Sequence, residues 1–136
     1  MKKSQVARIK LFSLLAVLSF SLFSCSGNGP EGVAEKFVVL TSQGDFTEAK
    51  KYCDESTAAM MNMAETLVAG KKEELKEKNK DIKVDIISSD VKDDKATVKY
   101  NIVNGETTSE EKQIDLKKID GEWKVSLNKE GAGATP

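Results

Sequence analysis

Histidine is absent from the 136 residues, and there are only two cysteines, two prolines and one tryptophan. Without histidine, Ser-His-Asp and Cys-His catalysis are excluded, and the commonest transition-metal ligand is missing. Two cysteines cannot build a disulfide framework, so a folded domain must rest on its apolar core. A surplus of one charge is lacking too: 21 basic residues meet 22 acidic ones, with Lys and Glu interspersed. Nucleic acid needs clustered Lys and Arg against its phosphates, so no nucleic-acid partner is expected. Nor is there a glycine-rich phosphate loop.

One long apolar run is present. Leu11–Phe23 follows Lys2, Lys3, Arg8 and Lys10 and precedes Ser24-Cys25. A cationic start, an apolar middle and a small residue before the cut mark residues 1–24 as a secretory signal peptide. The run is shorter than the ~20 residues a helix needs to cross a bilayer. Leu22-Phe23-Ser24-Cys25 resembles the bacterial lipobox, with Phe23 a less usual middle residue. That resemblance implies acylation of Cys25, which becomes the first residue of the mature chain. Removing the leader takes four of the 21 basic residues and no acidic one, leaving 17 against 22 and a net charge of −5. Residues 25–32 read as the lipidated Cys and a short tether, Ser26-Gly27-Asn28-Gly29-Pro30. At ~3.5 Å per residue it keeps the domain within tens of ångströms of the membrane. The anchor is expected in the outer membrane, and because no acidic cluster adjoins Cys25 the domain is expected to face the periplasm rather than the cell surface. Cys53 is then a lone thiol in an exported chain. It follows Tyr52 on an apolar helical face, with no histidine to lower its pKa. It reads as a small buried apolar residue rather than a nucleophile or an intermolecular disulfide partner.

The remaining 112 residues suffice for one domain. Pro30 suits a first helical turn, and Val33, Phe37 and Leu40 keep helical spacing up to Gln43-Gly44. Asp45 with Glu48 forms an acidic relative of the capping box. Phe46, Ala49, Tyr52 and Cys53 share a face, and Asp54-Glu55-Ser56 marks another helix start. The run Ala58–Val68 is broadly apolar, Gly70 is a stop, and Lys71–Lys80 is a solvated extension or connector. The period then falls to two. Ile82/Val84/Ile86, Ala96/Val98/Tyr100/Ile102, Ile114/Leu116 and Trp123/Val125/Leu127 alternate with polar residues. Turns are predicted at Lys92-Asp93-Asp94-Lys95, Asn104-Gly105 and Asp120-Gly121. Helices followed by four strands is an α+β order, with the domain over residues 33–128 and a tail at 129–136.

The Pro30–Leu40 helix, the Gly44-Asp45-Phe46-Thr47-Glu48-Ala49-Lys50 turn, the Met-rich helix and the closing Asp120-Gly121-Glu122-Trp123-Lys124-Val125 together resemble the nuclear-transport-factor-2-like (cystatin-like) superfamily. They most resemble its uncharacterised lipoprotein branch. The resemblance covers residues 30–128 and implies a cone: helices against a curved, four-stranded antiparallel sheet, with room for a pocket between them. It does not imply an activity, since this fold hosts enzymes, binding modules and assembly domains alike.

Catalytic members keep Asp, His or Tyr inside the cone. Here Asp85 and Asp115 fall on the polar parity of their strands, and Asp90, Asp93 and Asp94 are interrupted by Lys92, a polar turn rather than a calcium loop. No metal or cofactor is expected. The candidate pocket is Phe37, Tyr52, Met60, Met63, Tyr100 and Trp123, because methionines beside aromatics make adaptable apolar sites as well as ordinary core. Ile87, Val103 and Ile119 lie on the other strand parity and are a candidate homodimer face, provided no bulge reverses them. The expectation is a non-enzymatic, membrane-anchored lipoprotein whose domain takes an apolar small ligand or a protein partner. The alternative is a cone-fold enzyme on a small apolar substrate, with Tyr100 or Tyr52 polarising it.

Overall fold

The structure, a computed structural model, describes residues 29–127. The leader, Cys25 and the tail lie outside the described residues. Helix α1 spans Pro30–Ser42, with Pro30 in its first turn and Val33, Ala34, Phe37 and Val38 buried along one side. The turn after it needs Gly44, whose φ of +76° favours a residue without Cβ. A short α2, Phe46–Ala49, begins where Asp45 accepts the Glu48 N–H at 3.4 Å, and continues as a 3₁₀ turn over Lys50–Tyr52. Helix α3 covers Glu55–Val68 behind the cap residue Asp54. Helix α3 ends at Val68, just before the expected stop at Gly70, and a 3₁₀ turn, Ala69–Lys71, leads into α4, Lys72–Lys78.

The period-two segments form an open antiparallel sheet of β1 (Lys83–Lys92), β2 (Lys95–Asn104), β3 (Thr107–Thr108), β4 (Lys112–Ile119) and β5 (Glu122–Val125). The order is β1-β2-β4-β5, with β3 also on β2. The α+β class stands, while the expected four strands become five. The cause is local. After the Asn104-Gly105 turn the chain pairs briefly as β3 and then leaves the ladder at Ser109. There the Ser109 hydroxyl accepts the Ile102 N–H at 2.9 Å, and the Ser109 N–H donates to the Ile102 carbonyl at 2.8 Å. Pairing with β2 resumes at Lys112. The other two turns form at the predicted positions, with positive φ at Asp93, Asp120 and Gly121. Asp120-Gly121, positive at both central residues, matches the twist of the strands it joins.

Helix α1 lies across the sheet and touches β1, β2, β4 and β5. Its buried face meets Ala96, Val98 and Tyr100 of β2, Ile114 and Leu116 of β4 and Val125 of β5. Phe46, Ala49, Cys53 and Met61 close the core from the side of α2 and α3. Each fully buried Val, Leu or Phe contributes about 1.5–3 kcal/mol, and among the described residues this is the main cohesive term.

Gly44 tests the helix turn. A Cβ there would stand 3.3 Å from Leu75 Cδ1 and 3.5 Å from Leu75 Cβ, at a φ that L-residues avoid. Gly44→Ala is expected to cost about 1–2 kcal/mol, seen as a lower urea midpoint with an unchanged slope.

Candidate functional site

The six pocket candidates do not converge. Phe37 and Tyr100 are buried in the core, only 3 % and 8 % exposed. Tyr52 and Trp123 are half-buried at its rim, where Lys36 and Lys118 sit over their rings, each 5.7 Å from the centroid. Met60 and Met63 face solvent, at 42 % and 71 % exposure. Helical geometry explains the split. At about 100° per residue, Met63 lies roughly 200° round from the buried Met61, and Met60 about 100°. Only Met61 of the three reaches the core. A shallow groove of ≈ 520 Å³ exists elsewhere, beside Lys80–Lys83, Val103 and Gly105, rather than between helices and sheet.

The candidate dimer face is dispersed as well. The ladder between β1 and β2 shifts register between Ile86 and Ser88, making Ile87 the extra residue of a bulge. Lys117 pairs with Lys95, so Ile119 lies beyond one end of β2, while Val103 pairs with Lys83 near the other. Eight residues separate Lys95 from Val103, about 25 Å at ~3.3 Å each. Between them the outer sheet face is polar. The Thr97 hydroxyl donates to Asp115 at 3.0 Å, and Lys99 pairs with Glu111 at 3.5 Å. The three residues therefore form no continuous apolar patch.

A polar constellation does form, at the start of α3. Asp54 and Thr57 are the buried polar residues among those described, at 7 % and 0 % exposure. The Thr57 N–H donates to Asp54 Oδ1 at 2.8 Å, capping the helix. On the other oxygen, the Ser126 hydroxyl donates at 2.8 Å and the Lys117 ammonium stands at 3.1 Å. The Leu127 N–H donates to the Thr57 hydroxyl at 2.8 Å, and the Asp54 N–H to the Val125 carbonyl at 2.9 Å. Asp54 as a helix start was readable in sequence. Its partners lie some seventy residues away, and no periodicity announces them.

This geometry decides the chemistry. Burial pushes the Asp54 carboxyl up, but hydrogen bonds from the Thr57 hydroxyl and N–H, Ser126 and Lys117 outweigh it and hold the group at about 2. So weak a base, with its lone pairs already engaged, is a poor proton acceptor at neutral pH. Next to it the Cys53 thiol is pushed up to about 11, by burial first and the Asp54 charge second. It stays protonated, matching the inert buried cysteine expected. Its Sγ donates to the Lys50 carbonyl at 3.5 Å. Burial also raises the Tyr100 phenol. Asp85 is exposed, and Asp115 accepts from Thr97. Among the described residues no group of three or more Asp, Glu or Cys side chains could hold a metal ion, and Asp90, Asp93 and Asp94 do not converge. No helix among them is long and apolar enough to cross a membrane.

The family model of a domain of unknown function, DUF4878, matches residues 23–126, most of the chain. The chain belongs to this family. Among curated proteins there is no sequence match to this DUF4878 chain. Solved structures similar to it include a SEC-C-motif protein from Rhodopseudomonas palustris, 14 % identical. That match covers 75 % of this chain and 78 % of the other at a TM-score of 0.50. The likeness is one of fold alone. A candidate NTF2-like transpeptidase from Campylobacter jejuni is 24 % identical, with 74 % of this chain and 99 % of that one covered at a TM-score of 0.49.

The Asp54 cluster has a pH signature. Its folded pKa of about 2 lies below the ordinary 3.8. Its stabilisation is therefore complete above pH 3.8 and lost as pH falls through about 2, on the order of 2 kcal/mol. Asp54→Asn is expected to lower stability at pH 7 by a similar amount and to flatten the loss between pH 4 and 2. Urea unfolding followed across that range measures both.

Proposed function

We propose that the chain is an exported lipoprotein, cut before Cys25 and held to the outer membrane by acyl groups on that sulfur. Its nuclear-transport-factor-2-like domain faces the periplasm and acts as a non-enzymatic assembly module. The leader, the lipobox-like Leu22-Phe23-Ser24-Cys25 and the short tether support the anchor. Several acyl chains hold firmly, since each buried methylene adds about 0.8 kcal/mol.

One observation carries assembly over small-ligand binding. The side chains that would make a pocket are spread between core, rim and solvent, whereas Met60, Met63 and Leu67 stand in a row along one flank of α3, at 42 %, 71 % and 83 % exposure. Scattered exposed apolar residues need no explanation, but a contiguous row is what interaction surfaces use. Against catalysis stands the use of Asp54, whose oxygens are taken up by the joint between α3 and the sheet.

Native mass spectrometry of the detergent-solubilised full chain separates these roles. A trimmed chain with added acyl mass, no bound small molecule and species above the monomer is expected. A retained apolar small molecule at one per chain would replace assembly by ligand binding. Cys25→Ala is expected to lose the acyl mass and to leave the membrane fraction or remain uncut. Unchanged trimming and membrane retention in that variant would remove the anchor from the proposal.

A further inference from the structure

The sheet has two edges, and they differ. At β5, a four-residue strand, the edge is closed. Cys53 bridges Val125, the Asp54 N–H donates to the Val125 carbonyl at 2.9 Å, and the Lys124 ammonium donates to the Lys51 carbonyl at 2.7 Å. At the other edge β1 runs for ten residues, paired with β2 on one side and with no strand on the other. An edge strand of that length presents a row of unpaired N–H and C=O groups, a template for another strand. We infer that β1 pairs antiparallel with β1 of a second copy of the chain, joining the two sheets into one. This surface is separate from the Met60/Met63/Leu67 row and does not depend on it.

Register and charge select the second copy. Asp85, Asp90 and Lys92 lie on the outer face of β1, opposite Asn101, Thr97 and Lys95, and are exposed. None of the three has an ion-pair partner among the described residues. Ile86, Ser89 and Val91 lie on the helix face, opposite the buried Tyr100, Val98 and Ala96. Ile87 and Ser88 share the bulge and count as one position. A pairing centred on the bulge sets Lys83 against Lys92 and Asp85 against Asp90, and like charges directly opposite one another repel. A shift of two residues centres the pairing on Ser89. Asp85 then faces Lys92 on the outer side, and Ile86 faces Val91 on the helix side. Two-fold symmetry makes each of these pairs twice. Val91, 48 % exposed in the single chain, is covered by this pairing. The opposite shift sets Lys83 against Asp90 but leaves Val91 beyond the start of the partner strand.

An extended segment of a different protein is the poorer occupant. Strand β1 carries the complement of its own edge: an acid and a base equally spaced about Ser89, each with an apolar neighbour on the helix side. A foreign segment would have to carry the same order to match it. Edge lysines and a bulge limit the strands that an edge accepts. Here they disfavour the unshifted register, whereas in the shifted one each bulge stands opposite Asp90 rather than opposite the other bulge. Pairing over Asp85–Lys92 alone buries less than a standard interface, so isolated domains are expected to associate weakly.

Thiol cross-linking of the full chain in whole cells, with a short cell-permeant bismaleimide, tests this. Ser89 stands on the two-fold axis, where the facing Cβ atoms are about 5 Å apart and within reach of the reagent. Ser89→Cys is expected to give a cross-linked dimer well above that of Gln113→Cys, an exposed site on β4, and of the chain with no added cysteine. Cys53 is buried and does not compete. Adding Asp85→Lys puts like charges opposite one another at both ends and is expected to lower the yield about ten-fold. Adding Lys92→Asp as well restores opposite charges and is expected to recover the yield, which a damaged fold would not do. Linking no greater than in the Gln113→Cys control, or a yield unchanged by Asp85→Lys, overturns self-pairing. A link from Ser89→Cys to a different protein, without a dimer, overturns it too and assigns the edge to that partner. Each of these failures leaves the α3 row and the reading built on it untouched.

Discussion

The carboxylate of Asp54 joins the first half of the chain to the second. All the helices precede all the strands, so the fold depends on long-range contacts between α1–α3 and the sheet. No disulfide is available for that, since Cys53 is a free buried thiol among the described residues. The apolar core supplies cohesion but little direction, because packing tolerates small rotations of a helix against a sheet. Asp54 fixes the direction. One oxygen begins α3, the other holds Ser126 and Lys117, and its own N–H reaches Val125. Cys53 lies beside Val125 in a parallel bridge, which continues the sheet by one rung. The desolvation cost of this buried carboxylate is offset by its donors, whereas an unpaired charge would bear it in full. The same bonds that fix the helix remove the carboxylate from acid–base chemistry.

Most of the fold was legible in the sequence because its signals were local. The strands showed themselves by period two, and Asn104-Gly105 and Asp120-Gly121 by the backbone conformations they permit. Asp45 and Asp54 announced helix starts. What failed had a different physical origin. Helix α3 has a polar stripe, Glu55, Asn62 and Thr66, but its apolar residues spread over the rest of its circumference and do not single out one inward face. Its inward face was settled by contacts far along the chain. Thr57 is fully buried because its hydroxyl serves both Leu127 and Asp54, a burial that hydropathy argues against. The break between β3 and β4 rests on Ser109, whose side chain takes the place of a ladder carbonyl. The bulge did leave a trace. Ile86-Ile87 is a doublet in an alternating strand, and an extra residue there shifts the parity of everything beyond it.

The candidate site was less legible than the fold. Methionines and aromatics are what both pockets and ordinary cores are made of, so residue type alone could not separate Phe37 and Tyr100 from Met60 and Met63. Their difference is angular, and the angle is fixed only when α3 docks. On the sheet, apolar parity suggested a patch that geometry does not make. Val103 and Ile119 belong to opposite ends, and Thr97, Lys99, Gln113 and Asp115 fill the face between them.

An exposed apolar row carries a penalty in solubility, so its position relative to the charges around it is informative. The sheet surface is laced with opposite charges and hydrogen bonds and offers a partner little apolar area. Helix α3 differs: Met60, Met63 and Leu67 lie along one flank, beside a polar stripe of Glu55, Asn62 and Thr66. Glu65 is turned toward α2, where it meets Thr47 and Lys50, and leaves the row clear.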